Sequence, residues 1–160
     1  MKQFASLLAF VLLSSLGSRA QHFILGAELS NSAATSIADI DSVIPKVACA
    51  GINTVLVPAQ WDLIEPREGV FDFSTIDEII RVARREKLKV ILLWFGVWKN
   101  SMSCYAPLWF KQDKRFPRAM TAEGKPLEIA TAFSEAVFQA DNKAFMALIH
   151  HLKAVDTDRT

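Results

Sequence analysis

With 160 residues, 51% of them hydrophobic and 22% charged, the chain can bury a core of its own and is too apolar to remain disordered. A net charge of +1 gives no electrostatic case for nucleic acid or anionic lipid as a partner, and the length allows one domain.

The first twenty residues are set apart by pattern. Lys2 is followed by the apolar run FASLLAFVLLSSLG and then by Ser18, Arg19 and Ala20. A charged start, an apolar stretch too short to span a bilayer and small residues at the minus-three and minus-one positions predict a secretory signal peptide cut after Ala20. Its removal takes away Lys2 and Arg19 and moves the net charge from +1 to −1. The expected product is exported, with no membrane attachment after cleavage and a mature portion of residues 21–160.

Three short, nearly continuous apolar runs follow: HFILGAE (22–28), INTVLVP (52–58) and KVILLWF (89–95). Apolar residues without alternation predict strands buried on both faces, as in a parallel sheet. Between them lie helical patterns. In SIADIDSVIPKVACAG, Pro45 would remove a hydrogen bond from a helix interior, so a break near Asp41 is expected, with Ser42 as N-cap and Gly51 as the stop. Ile76, Ile79, Ile80 and Ala83 recur at helical spacing opposite a charged face, and Ser74 with Asp77 resembles a capping box. Leading acids and trailing bases suit the helix dipole. A last helix is expected in ADNKAFMALIHHLKAVD, capped by Asp141 or Asn142. The stretch from Gly96 to Ala140 is long and punctuated by prolines, and long loops in compact domains are usually functional.

The run VPAQWDLIEPREGVFDFSTID resembles the signature of β-galactosidase-type glycoside hydrolases of families 35 and 42, in which the second barrel strand leads into Trp, then Glu-Pro, a Gly and Phe-Asp-Phe. AGINTV before it, and KLKVILLWFGVWKN and APLWF after it, are similar to the neighbouring parts of those enzymes in the same order. The resemblance implies an α/β fold, a partial (β/α)8 TIM barrel represented by its first three β/α units. It also implies sugar bound at the C-terminal strand ends and a retaining mechanism, in which two carboxyl groups about 5–5.5 Å apart act as acid/base and nucleophile. The family's acid/base Glu follows an Asn at the end of the fourth strand, and its nucleophile ends the seventh. No Asn-Glu occurs here, so the chain is expected to stop before the catalytic residues and to be inactive alone. No catalytic residue is assigned.

On that barrel the candidate substrate-binding residues are Glu28, Gln60, Trp61, Trp98 and Asn100. Glu28 ends the first strand and Gln60 follows the second, where each either hydrogen-bonds sugar hydroxyls or tethers a loop. Trp61, Trp94 and Trp98 lie at or beyond strand ends, where a flat ring either stacks on a sugar face or fills the core. Asn100 and Lys99 are the weaker candidates, since a solvated loop needs such residues in any case.

Glu65 and Glu68 look like a carboxylate pair, but nothing in the sequence nearby would hold one of them protonated. A structural role is expected, with Glu65 accepting hydrogen bonds from loop backbone or from a basic partner such as Arg67. Cys49 and Cys104 fall at opposite ends of the strands, about 17–20 Å apart for a strand of ordinary length, so two unpaired thiols are expected. His150 and His151 are adjacent and face different sides of a helix, His22 is isolated, and the turn LGAELSNSA lacks a glycine-rich phosphate loop. No cofactor or metal is expected. A galactoside-type carbohydrate is the expected partner; the alternatives are a non-catalytic carbohydrate-binding module, and a doubly wound domain with helices on both sheet faces.

Overall fold

The computed structural model describes residues 23–99 and 104–160. The expected signal peptide, His22 and the candidate Asn100 lie outside the described residues.

Three strands, β1 (Gly26–Glu28), β2 (Thr54–Gln60) and β3 (Lys89–Phe95), form a parallel sheet in the order β1-β2-β3. Glu28 lies opposite Leu56, and Gln60 opposite Phe95. Central β2 is almost wholly buried, which is why it shows no alternation, whereas the flanking strands are partly exposed. β1 is shorter than the apolar run suggested. Asn53 takes the place of ladder partners there: its Oδ1 accepts from Leu25 N at 3.0 Å and its Nδ2 donates to Phe23 O at 2.7 Å. β2 starts later than expected and runs on through Pro58 to Gln60.

The helices α1 (Ile37–Cys49) and α3 (Ser74–Arg85) and the last helix, α5 (Glu135–Val155), pack on one sheet face. Ile40, Ile44, Ile76, Ile79, Ile80 and Leu148 meet Val55, Val57 and Ala59 of β2, with Val90 and Leu92 of β3 alongside. Full burial of such a side chain contributes about 1.5–3 kcal/mol, so this layer is the main source of stability. Among the described residues the doubly wound arrangement is therefore not formed. No helix among them is long and apolar enough to cross a membrane.

Each helix start differs from expectation for a local reason. α1 has no break at Asp41. Ser36 caps it, accepting from Asp39 N at 3.2 Å, and Pro45 sits inside the helix. The lost hydrogen bond falls at exposed Asp41, whose carbonyl is near water, and burial of Ile40 and Ile44 offsets a cost of about 3 kcal/mol. For α3 the N-cap position is Phe73 rather than Ser74, and the side chain before it supports the start: Asp72 Oδ1 accepts from Ser74 N at 2.9 Å. The Ser74 hydroxyl, then its N–H, hold the Asp72 carboxyl below the usual range. α5 begins two turns before Asp141, with Ser134 accepting from Val137 N at 3.5 Å.

The stretch expected as a loop holds structure of its own. After the single helical turn α2 (Trp61–Ile64) come, beyond β3, the short helix α4 (Leu108–Gln112) and an antiparallel hairpin of β4 (Arg118–Met120) and β5 (Pro126–Ala130). These pieces enclose a second core of Trp61, Ala106, Phe110, Phe116, Ala130, Val137 and Ala144.

Candidate functional site

Alternation along the strands places Val55, Val57 and Ala59 toward the helices and Leu56, Pro58 and Gln60 on the opposite face. Register carries Glu28 and Phe95 onto that same face. At its C-terminal end, polar groups from all three strand ends and their loops come together.

Gln60, 7% exposed, donates from Nε2 to Asn31 O at 2.6 Å. Asn31 donates from Nδ2 to the Tyr105 hydroxyl at 2.7 Å and accepts from Lys99 Nζ on Oδ1 at 3.2 Å. The Lys99 ammonium stands 3.5 Å from the centroid of the Phe95 ring and 3.9 Å from Glu28 Oε1. A cation over an aromatic face is held electrostatically, so Phe95 and Asn31 together fix the position of Lys99. The rim thus presents an exposed carboxylate, an anchored ammonium, an amide and a phenol, a set that donates and accepts hydrogen bonds to hydroxyl groups.

The loop between β2 and α3 is built for a different purpose. Glu65 is 1% exposed; its Oε2 accepts from Trp61 Nε1 at 2.7 Å and its Oε1 from Gly69 N at 2.7 Å. Its backbone oxygen accepts from Trp109 Nε1 at 2.9 Å. Gly69, at φ +74°, completes a turn closed by Val70 N donating to Arg67 O at 2.9 Å. The backbone role expected for Glu65 is present, but the partners are Trp61 and Gly69, not Arg67. Glu68 points elsewhere, into a bidentate pair with Arg115 at 3.1 and 2.8 Å, and that guanidinium holds its carboxyl below the usual range. The two glutamates are not a catalytic pair.

A third polar feature ties α5 to the end of β3. Asp141 accepts from Trp94 Nε1 at 2.7 Å and from Val97 N at 3.3 Å. Burial pushes its carboxyl up, with those two donors opposing. A side chain at Gly96 would place Cβ 2.6 Å from Asp141 Oδ1 and 2.6 Å from Trp94 Nε1, so this position needs glycine for close approach rather than for its backbone angles. Beside Asp141, on the helix side of β3, a pocket of about 500 Å³ is walled by Trp94, Val137, Phe138 and Phe145. It is apolar and lies away from the polar rim.

Of the sequence candidates, Glu28, Gln60 and Lys99 converge at the rim, and Trp98, 59% exposed, stands on the adjoining loop. Trp61 does not join them. It is fully buried among Trp94, Trp109 and Phe110, because α2 turns the chain beneath the 104–116 segment, and no ring face is open to a ligand. Trp94 likewise faces the helices. Sequence reasoning missed Asn31, Tyr105 and Asp141. It also missed Asp62, whose Oδ1 is buried without a hydrogen-bond partner among the described residues and whose carboxyl burial pushes up. Cys49 is an exposed free thiol; Cys104 is half-buried and free, and burial pushes its thiol up. Among the described residues no group of three His, Cys, Asp or Glu side chains is placed to hold a metal ion.

Two solved structures share this fold. A polyextremophilic β-galactosidase from the Antarctic haloarchaeon Halorubrum lacusprofundi superimposes with a TM-score of 0.60 at 17% identity over 78% of this chain. An exo-β-1,4-mannosidase from Opitutaceae bacterium strain TAV5 does so with 0.57 at 18% identity over 82%. The chain spans 18% and 22% of the lengths of those two proteins. No curated protein matches the sequence significantly. The family model for the β-galactosidases of glycoside hydrolase family 42 matches residues 35–141, a stretch that takes in α1, β2, α3, β3 and all of the second core but Ala144. The α/β arrangement with parallel strands is that of part of a TIM-barrel glycoside hydrolase, and the chain belongs to the family 42 β-galactosidases.

Proposed function

We propose that the chain is the opening part of a β-galactosidase-like glycosidase that holds a galactoside-type carbohydrate at the strand-end rim without a cofactor. Glycosidase-type function follows from the family; the galactoside preference, the mechanism and the division of the barrel are the proposal. The observation that carries it is the convergence of Glu28, Asn31, Gln60 and Lys99 at the C-terminal ends of parallel strands, where (β/α)8 barrels bind their ligands. Gln60 serves by holding Asn31, Trp98 offers an aromatic face for a sugar ring, and Asn100 next to Lys99 adds an amide. Export after removal of residues 1–20 is part of the same reading, supported by the amino-terminal pattern.

The proposed reaction is hydrolysis with retention, through two carboxyl groups about 5–5.5 Å apart. Glu65 and Glu68 are both engaged elsewhere, so the acid/base and the nucleophile are assigned to barrel strands other than the three described. In this reading β1, β2 and β3 are the first three of eight. Among the described residues β3 has no strand on the side away from β2, where Val90 N donates to Thr160 O at 2.9 Å. A parallel edge left unpaired would expose a row of backbone groups.

The test compares this chain with the same chain extended through further barrel strands. This chain is expected to bind methyl β-galactoside without turning over p-nitrophenyl β-galactoside. The extended chain should hydrolyse it, with the β-anomer as first product by NMR. Turnover by this chain alone, or an α-anomeric first product, would overturn the proposal. Binding without turnover in both forms would favour the non-catalytic module, a reading supported by the engaged glutamates.

A further inference from the structure

We propose that Glu28 and Lys99 form a slot for a vicinal diol, two neighbouring hydroxyl groups of one sugar ring. The Lys99 ammonium donates to one oxygen while the Glu28 carboxylate accepts from the other. The inference rests on the reading of the rim as a carbohydrate site and names the chemistry that the site selects.

The separation of the two groups is the first argument. Lys99 Nζ and Glu28 Oε1 stand 3.9 Å apart, near enough for attraction but too far for a direct hydrogen bond. Among the described residues Glu28 accepts no hydrogen bond, and its side chain is 55% exposed, so its lone pairs face water. Lys99 is the reverse, 17% exposed and anchored. Of its three protons, one goes to Asn31 Oδ1 and the Phe95 ring takes up the charge on another side, which leaves a donor for a ligand. An acceptor-only group and a donor-only group at this spacing match a diol, because each sugar hydroxyl both donates and accepts and the two oxygens stand roughly one hydrogen-bond length apart.

The second argument is preorganisation. A free lysine loses about 1.5–2 kcal/mol of side-chain entropy when a ligand fixes it. Here that ordering is already complete. Asn31, which holds Lys99, is itself held by the Tyr105 hydroxyl at 2.7 Å and through its carbonyl by Gln60 at 2.6 Å. All three strand ends therefore contribute to the position of one ammonium. The opposite charges side by side also disfavour ionic ligands of either sign, since each would meet a like charge, and favour a neutral polyol.

The experiment is an NMR titration of the full chain with methyl β-D-galactopyranoside and its 2-, 3- and 4-deoxy analogues, for the parent and for Lys99→Met and Glu28→Gln. Loss of a charge-assisted hydrogen bond predicts about tenfold weaker binding for Lys99→Met and for one deoxy analogue. The two losses must not multiply when combined, because they remove the same contact. Glu28→Gln should behave alike with the adjacent position, and being half exposed it tests the slot even where Lys99→Met fails to fold. Folded variants that bind every analogue as the parent does, or losses that multiply, would overturn the slot and leave the carbohydrate reading standing. A parent chain that binds no glycoside would overturn both.

Discussion

In the loop between β2 and α3 the Glu65 carboxylate is 1% exposed, and both of its oxygens accept from donors within the chain. At the rim, Glu28 is 55% exposed and accepts nothing from the described residues. The two acids belong to one sheet and its loops, yet the motif-bearing one fixes a fold while the inconspicuous one is open to a ligand. A conspicuous run of acidic and aromatic residues identifies a family by what its loop must hold in place. The groups available for binding are the ones whose own partners are incomplete.

Variants that break this contrast should differ in what they disturb. Glu65→Ala leaves the buried Trp61 Nε1 without its acceptor, removes that of Gly69 N in the exposed turn, and should cost about 3–4 kcal/mol in chemical denaturation. A cost under about 1 kcal/mol would mean that the loop does not depend on it. Gly96→Ala drives Cβ into the Trp94–Asp141 hydrogen bond and should cost about 3 kcal/mol. Gly124→Ala meets open space but sits at φ +76° and should cost about 1 kcal/mol.

Asp141→Asn sharpens the contrast through pH. Burial raises the Asp141 carboxyl in the folded chain, so the native state binds the proton more tightly than the unfolded state. That contribution is full below about pH 4 and is lost as pH rises through the folded value. The difference in stability between Asp141→Asn and the parent, measured by denaturation across this range, should shift steadily in favour of the variant as pH rises. A flat difference would show that Asp141 is not held this way. Asn31→Ala at the rim should cost no more than about 1 kcal/mol and weaken glycoside binding in the same NMR titration by up to the roughly tenfold expected for Lys99→Met, because Lys99 loses its anchor. Glu68→Gln is the smallest change: its exposed pair with Arg115 is screened by water and salt, and the melting temperature should stay within error of the parent.

The parts legible in the sequence were those with one dominant pattern. α3 has a single apolar stripe against a charged face, and β2 and β3 are continuous apolar runs, so each could be placed to within a few residues. The β4–β5 hairpin could not, because its strands are short and half exposed and their pairing depends on the second core. α1 continues through Pro45 because tertiary burial outweighs a local penalty. At the candidate rim, the positions of Glu28 and Gln60 at strand ends were legible. Asn31 and Tyr105 were not, since they meet across 74 positions of sequence and neither carries a motif. Trp61 was misjudged because position along a strand does not say what later segment will cover it.

The tight approach at Gly96 also bears on how this chain can vary. Trp94, Gly96 and Asp141 occupy one small volume, and a larger residue at 96 fits only if the indole or the carboxylate is absent. In a library randomised at these three positions and selected for folding, a residue larger than glycine at 96 should be accepted only together with a change at 94 or 141. Replacement of Gly96 alone should be purged, which makes the freedom of one position conditional on its two neighbours.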